Sequence, residues 1–266
     1  MRIKMLCLVL LVSFKLFAQK TKQVVSDDLS RNTREIYNVL KADNETLEGS
    51  YKTYTILKND LLQEGFYHKD QKDGFWRYYT NKGVILEGSY KTNEKIGIWS
   101  AYDAQRKLQV SYDYTIKKLL FFNQQSSDST TYDVINGTDT TKTVLERPPV
   151  YLNGNTWLLR AIARATQYPD DAHYATKQGY VIVSFTIKDD GKLANYRIAN
   201  SLDPELDKAA IKAAASIEGD WLPGILNGKP VNVKYQVPVK FVTNRRYPTR
   251  LIPASSILRG GVTIVQ

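Results

Sequence analysis

The residues YVIVSFTIKDDGKLANYRIAN, numbered 180–200, decide the fold that we predict for the C-terminal part of the chain. From Tyr180 to Ile187 the side chains alternate with period two, as a pleated strand that buries one face requires. Asp190-Gly191 follows at once and predicts a tight hairpin turn, because both residues tolerate positive φ. Leu193 to Ala199 is therefore predicted to be a second, antiparallel strand.

A helix and a third strand are predicted after this hairpin. Asp203 is a suitable N-cap and Pro204 suits the first helical turn. The helix carries one apolar stripe, formed by Leu206, Ala209, Ala210, Ala213, Ala214 and Ile217. After a turn at Asn227-Gly228, the sequence VNVKYQVPVKF, residues 231–241, is the most regular strand pattern in the chain. The order of elements is thus β–β–α–β.

Pro238 indicates where this last strand lies in its sheet. Proline has no N–H to donate to a ladder, so it is confined to edge strands, strand ends and bulges. We therefore expect the strand to lie at the edge of its sheet. Its proline and lysines guard such an edge against unwanted pairing, or the edge itself is the working surface and adds an extended peptide.

An ordered series of motifs resembles the C-terminal domain of TonB-type energy transducers over residues 151–243. The series is Gln167-Tyr168-Pro169, Gly179, Val181, Val183, Phe185, Asp190-Gly191, the helix start at Ser201–Asp207, Trp221-Leu222-Pro223-Gly224, Asn227 to Val231, and Tyr235-x-Val237-Pro238-Val239-x-Phe241. The stretch from His173 to Lys177 departs from the family pattern.

This resemblance implies a fold and a set of partner-binding residues. The implied fold is a three-stranded antiparallel sheet with helices on one face. The implied partner is a short peptide of an outer-membrane transporter that meets Gln167, Tyr168, Pro169, Val231, Asn232, Val233, Lys234, Tyr235, Gln236 and Val237.

Residues 47–122 contain an internal repeat. The heptamer LEGSYKT at 47–53 returns unchanged at 86–92, and Gly74-Phe75-Trp76 returns 23 positions later as Gly97-Ile98-Trp99. Alternating aromatics with glycines predict β-hairpins, which bury their aromatic face only when they stack. The pattern resembles MORN-variant repeats of antitoxin-like proteins. We expect the tryptophans to be core residues.

The two ends of the chain and the stretch between the domains carry weaker patterns. Residues 1–18 resemble a cleaved signal peptide, with a retained membrane anchor as the alternative, and they hold Cys7, the single cysteine. Residues 19–46 are interpreted as a polar lead-in, either with a short helix between Asp28 and Leu40 or disordered. Residues 123–150 are interpreted as a polar linker, with a hairpin as the alternative. Residues 244–266 form a basic tail.

No pattern typical of catalysis or of metal binding is present. The two histidines, His68 and His173, are far apart and lack ligand spacing. No phosphate loop, nucleophile elbow or metalloprotease helix occurs. The formal charge is +10, but the lysines are scattered, which argues against nucleic acid as a partner. We expect no enzyme activity and no cofactor.

The sequence thus predicts an α+β protein, with an N-terminal β-hairpin repeat sheet followed by a TonB C-terminal-like β–β–α–β domain. The favoured function is that of a periplasmic envelope protein that binds an outer-membrane transporter, or another envelope protein, by strand addition. It associates with the membrane only if its N-terminal segment is retained. The alternative is a structural envelope protein that acts through its repeats.

Overall fold

The computed structural model describes residues 21–124, 130–167, 169 and 177–242. The residues predicted as leader and as tail, together with Tyr168 and His173, lie outside this part. The helices are α1 (Gly154–Ala165) and α2 (Pro204–Ala215). The strands are β1 (Thr21–Asp28), β2 (Thr33–Leu40), β3 (Leu47–Thr55), β4 (Leu61–His68), β5 (Gln71–Thr80), β6 (Gly83–Lys91), β7 (Glu94–Tyr102), β8 (Leu108–Asp113), β9 (Lys118–Phe122), β10 (Thr131–Asn136), β11 (Asp139–Val144), β12 (Val150–Tyr151), β13 (Gly179–Ile187), β14 (Leu193–Asn200), β15 (Trp221–Leu222), β16 (Gly224–Leu226) and β17 (Lys229–Phe241).

The N-terminal sheet contains nine strands, and each strand pairs with the next one along the chain, from β1 to β9. Thr21 already belongs to this sheet, so the lead-in interpretation of residues 19–46 is wrong for the described residues. The helix expected between Asp28 and Leu40 is a strand, because its Tyr37 ring stacks on Tyr51 of β3 with centroids 6.2 Å apart. Burial on a neighbouring strand outweighs the weak helical spacing.

Each repeat unit places a tryptophan ring over a glycine of the neighbouring strand. A Cβ built on Gly65 would lie 2.2 Å from the Trp76 ring, and one built on Gly88 would lie 2.3 Å from the Trp99 ring. Trp76 is 0% exposed and Trp99 is 1% exposed, so the prediction that both are core residues is confirmed. The repeated glycine is required for close approach, since any larger side chain would fill the space of the ring.

Two-residue turns join the repeat strands without glycine. Lys69-Asp70 and Thr92-Asn93 all have positive φ, between 49° and 68°, which matches the twist of a two-residue hairpin. The side chain of Asp70 accepts a hydrogen bond from Leu47 N–H, and that of Asn93 accepts one from Lys72 N–H. These side chains therefore connect each turn to the preceding repeat.

The C-terminal sheet contains the predicted β–β–α–β unit in the predicted order. Its strands lie in the order β11-β10-β17-β13-β14, and β16 pairs with β17. The cap prediction for α2 is confirmed, because the Asp203 side chain accepts a hydrogen bond from Glu205 N–H and Pro204 stands in the first turn. Leu206, Ala210, Ala213 and Ala214 are buried as the apolar stripe predicted.

The stretch predicted as a linker is part of this sheet. β10 and β11 pair as a hairpin from Thr131↔Val144 to Asn136↔Asp139, which was the alternative interpretation of these residues. Tyr132, Val134 and Leu145 form a small core with Val233 of β17. The burial of these side chains accounts for a folded hairpin in a polar stretch.

Helix α1 packs against both sheets. On one side Ile162 and Leu158 belong to the core of the C-terminal sheet. On the other side the Trp157 ring meets Tyr78 of β5 with centroids 4.8 Å apart, and the Arg160 guanidinium donates to the Tyr79 carbonyl at 2.7 Å. The aromatic face of the repeats is thus part of a shared core.

Candidate functional site

Strand β17 carries most of the residues predicted to bind a partner, and its two halves have different neighbours. β13 pairs with it from Val233 to Phe241. β10 pairs with Asn232 to Lys234 on the flank opposite β13, and β16 pairs with Lys229 to Val231. The expectation of an edge strand is therefore wrong for Val233 and Lys234, because β13 and β10 cover both of their flanks. Val231 and Asn232 are each paired with one strand of the same chain, β16 and β10 respectively.

Beyond Lys234 only one flank of β17 is occupied within the described residues. The registered pairs with β10 end at Asp133↔Lys234, whereas the pairs with β13 continue through Ile182↔Pro238 to Gly179↔Phe241. Tyr235, Gln236 and Val237 thus lie where the strand has an open side. We name the open side of Tyr235–Lys240 the open edge.

Pro238 fixes which backbone groups face the open edge. The ladder with β13 passes Pro238 without a register shift. Because proline has no N–H, an uninterrupted ladder requires that its nitrogen points away from β13. In an antiparallel strand alternate residues point the same way, so Gln236 and Lys240 direct their N–H and C=O groups to the open edge. Pro238 adds a C=O there but no donor.

The side chains of this segment separate into a buried and an accessible set. Val237 and Val239 are 0% exposed and pack with α1 and α2, together with Tyr235 and Phe241. Burial raises the pKa of the Tyr235 hydroxyl above its ordinary value, so this tyrosine stays neutral. Gln236 and Lys240 are half-buried, and the Lys240 ammonium lies 5.8 Å from the Tyr180 ring centroid. Pro238, which lies between them on the same face, is buried. An added strand would thus meet backbone groups and the polar side chains of Gln236 and Lys240.

The other predicted partner-binding residues follow α1. Gln167 is exposed and Pro169 is half-buried, two and four residues after the end of the helix at Ala165. Tyr168 lies outside the described residues. Ile162 of α1 shares a core with Val237 and Phe241, so the end of α1 that leads to Gln167 lies against the same sheet as the open edge. A partner role for these residues stays a prediction.

A second set of polar residues lies where the repeats meet α1. Lys72 and Lys95, which are 23 residues apart, place their ammonium groups 4.5 Å and 4.8 Å from the Trp76 and Trp99 ring centroids. Burial lowers the pKa of Lys95 to about 8 and lowers that of Lys72. The identical spacing of the lysines and tryptophans was visible in the sequence, but the cation–π contacts were not predicted.

Of the two histidines, His68 lies within the described residues, and it contacts a glutamate. His68 Nδ1 lies 3.0 Å from Glu48 Oε1 at the end of β4. Among residues 21–124, 130–167 and 177–242 no group of three or more His, Cys, Asp or Glu side chains is arranged to hold a metal ion. At the open edge, the described residues offer backbone groups for hydrogen bonding.

The comparison with known families agrees with the motif series. Residues 164–243 match the family model of the Gram-negative bacterial TonB protein C-terminal domain. No curated protein matches the chain. In the part of the chain that the structure describes, neither helix is long and apolar enough to cross a membrane. The match supports a TonB-type C-terminal domain and an envelope protein, and it does not extend to the repeats.

Proposed function

We propose that the C-terminal domain binds an extended peptide of an envelope partner by strand addition at the open edge. The observation that carries this proposal is the one-sided pairing of β17 beyond Lys234, in a segment that matches a TonB-type domain. The partner is an outer-membrane transporter, and the role is non-catalytic. The protein acts in the periplasm.

The open edge is short and selective. Gln236 and Lys240 each offer one donor and one acceptor, and Pro238 offers an acceptor only. A visiting strand therefore forms at most about five main-chain hydrogen bonds, each with a modest net contribution of about 1 kcal/mol. Binding is expected to be weak and reversible, as a transient contact with a transporter requires.

Site-specific photo-crosslinking in the native bacterium tests this proposal. A photoreactive side chain at Lys240 stands beside the open edge, and the same group at exposed Lys188 serves as the control. We expect a transporter of the outer membrane, identified by mass spectrometry, to be captured from Lys240 and not from Lys188. Equal capture from both positions, or capture without any transporter, would contradict strand addition at this edge.

The N-terminal segment decides between an adaptor and an energy transducer. A cleaved leader at residues 1–18 would leave a periplasmic adaptor, whereas a retained segment would anchor the same domain to the inner membrane. Mass spectrometry of the mature N-terminus separates the two: a chain starting near Gln19 supports the adaptor, and a chain starting at residue 1 or 2 supports the transducer.

The alternative function, a scaffold that acts through the repeats, is favoured by one specific observation. Phe66, Phe75, Ile96 and Ile98 are 40–54% exposed, and their positions alternate with those of the buried tryptophans, so they lie on the outer face of the repeat sheet. Replacing Phe66 and Ile98 by serine would abolish partner capture if the repeats were the working surface. Strand addition at the open edge predicts unchanged capture.

A further inference from the structure

A polar groove lies on the face of the C-terminal sheet opposite α1 and α2. Its volume is about 620 Å³, which falls in the range of small-molecule sites. Strands β13, β14 and β17 form its floor, and the β10–β11 hairpin contributes Thr138 and Thr140. Strand addition at the open edge does not use this groove, although both involve Gln236.

The floor of the groove presents two hydroxyl side chains, beside the apolar residues Ile135 and Ile198. Ser184 and Thr186 are 5% and 6% exposed, and they alternate with Val183 and Phe185, which belong to the core beneath α2. Ser184 Oγ donates to the Arg197 carbonyl at 3.3 Å, and Thr186 Oγ1 accepts from Asn195 Nδ2 at 3.4 Å. Both contacts are long, so both hydroxyls retain capacity for a ligand.

A bulge in β14 directs a further polar side chain to this floor. The β13–β14 register shifts between Ser184 and Thr186, and Asn195 within the bulge has a φ of 56°. Asparagine adopts this left-handed conformation at lower cost than most residues. Bulges commonly re-aim a side chain next to a functional site, and here the bulge places the Asn195 amide in the groove lining.

The charged groups of the lining are both cationic. Arg197 stands opposite Ser184 on β14, and Lys234 stands opposite Thr186 on β17. Their Cα atoms are therefore two strand spacings and two residues apart, about 12 Å, with the hydroxyl floor between them. Asp133 is the cross-strand neighbour of Lys234 but does not line the groove. In the described residues neither Arg197 nor Lys234 forms a salt bridge within 4.0 Å.

We infer that the groove binds a small hydroxylated anion, namely a sugar phosphate or a uronate. A ligand that lies over Ser184 and Thr186 has a cation on either side for its anionic oxygens. Its hydroxyl groups meet the hydroxyls of Thr138, Thr140 and Thr186 and the amides of Asn195 and Gln236, which both donate and accept. A neutral sugar lacks the charge-assisted contacts, and an inorganic ion lacks the hydroxyl contacts.

Calorimetric titration of the full-length protein with defined probes tests this inference. The probes are glucose 6-phosphate, glucuronate, glucose and inorganic phosphate. We expect one of the two hydroxylated anions to bind at least about tenfold more tightly than both glucose and inorganic phosphate, since a charge-assisted hydrogen bond accounts for about a tenfold change in affinity. Arg197→Gln and Lys234→Gln each should weaken this binding about tenfold.

Lys212→Gln provides the matched control, because Lys212 is exposed on α2, on the other side of the sheet. It makes the same change in charge and should leave binding unchanged. Equal weakening by Lys212→Gln, equal affinity for inorganic phosphate and the organic anions, or no binding of either organic anion would overturn the inference. None of these outcomes bears on transporter capture from Lys240, so the groove and the open edge are tested separately.

Discussion

Lys95 Nζ donates a hydrogen bond to Asn153 Oδ1 over 2.6 Å, and this contact joins the repeat sheet to the residue that precedes α1. The same ammonium donates to the Tyr114 hydroxyl at 3.1 Å, and Tyr114 in turn donates to Asp220 Oδ2 at 3.0 Å. A buried cation is thus part of the interface between the repeats and the TonB-type domain.

The first prediction concerns the effect of pH on this interface. Burial lowers the pKa of Lys95 from 10.5 to about 8, so between pH 8 and 10.5 the unfolded chain binds more protons than the folded protein. The free energy of unfolding therefore rises with pH in this window. We expect Lys95 to contribute a rise of about 1–2 kcal/mol between pH 7.5 and 9.5, measured by urea denaturation as the difference between the wild-type protein and Lys95→Met.

Substitution of the lysine is the control for this pH dependence. In Lys95→Met the rise should be reduced, and the residual rise should come from Lys72, whose pKa is also lowered by burial. The exposed variant Lys212→Met should keep the full rise. The tyrosines act in the opposite direction as the pH approaches 10, because burial raises the pKa values of many of them, including Tyr78, Tyr114 and Tyr235, and tyrosines of the unfolded chain lose protons first. The same pH profile for the wild-type protein and for Lys95→Met between pH 7.5 and 9.5 would contradict a desolvated Lys95.

The second prediction concerns the tryptophans of the repeats. Trp76 and Trp99 are buried, and their indole N–H groups donate to the carbonyls of Phe66 and Ser89, both at 3.1 Å. Trp76→Ala and Trp99→Ala should each lower the free energy of unfolding by roughly 3–5 kcal/mol. Phe75→Ala, next to Trp76 but 44% exposed, should cost less than about 1 kcal/mol. Similar losses for Phe75 and Trp76 in chemical denaturation would show that the ring is not a core element.

The third prediction tests the close approach of ring and glycine. Gly88→Ala brings a methyl group into the space of the Trp99 ring and should cost roughly 1–3 kcal/mol, as for overpacking. In a Trp99→Ala background the obstructing ring is absent, so Gly88→Ala should then cost much less. A double-mutant cycle measures this difference as a coupling energy. Additive effects would mean that the glycine serves the backbone and not the ring.

The sequence predicted the elements whose patterns were local. The strand from Tyr180, the cap at Asp203 and the buried tryptophans followed from alternation, capping chemistry and repetition, and the structure contains each of them. Alternation along one strand does not reveal what pairs with its flanks. The open edge was therefore predicted too long, since the hairpin that covers Asn232 and Lys234 comes from a Thr-rich stretch without a strong apolar pattern.

Long-range contacts account for the remaining differences. Residues 33–40 have spaced apolar side chains that also suit a helix, and the partner strand β3 decides in favour of a strand. The polar groove combines Thr138, Arg197 and Lys234 from three separate parts of the chain, so no local sequence motif predicts it. The chemistry of a single helix or strand can be predicted from its own sequence. A site shared between strands depends on the register in which those strands pair.

The last prediction separates the two halves of β17 by placing proline in each. Asn232 pairs with Ile135 of β10, and its neighbour Val233 pairs with Ile187 of β13. The Asn232 side chain accepts a hydrogen bond from Asp189 N–H at 3.0 Å. Asn232→Pro therefore removes a bonded donor inside the sheet and should cost about 3 kcal/mol or more. Gln236→Pro removes a donor at the open edge and should cost clearly less, while it weakens capture of the partner. Urea denaturation of both variants, beside crosslinking from Lys240, provides the measurement. If Gln236→Pro destabilised the fold as much as Asn232→Pro, the N–H of Gln236 would be bonded within the chain, and a peptide would have no free donor there.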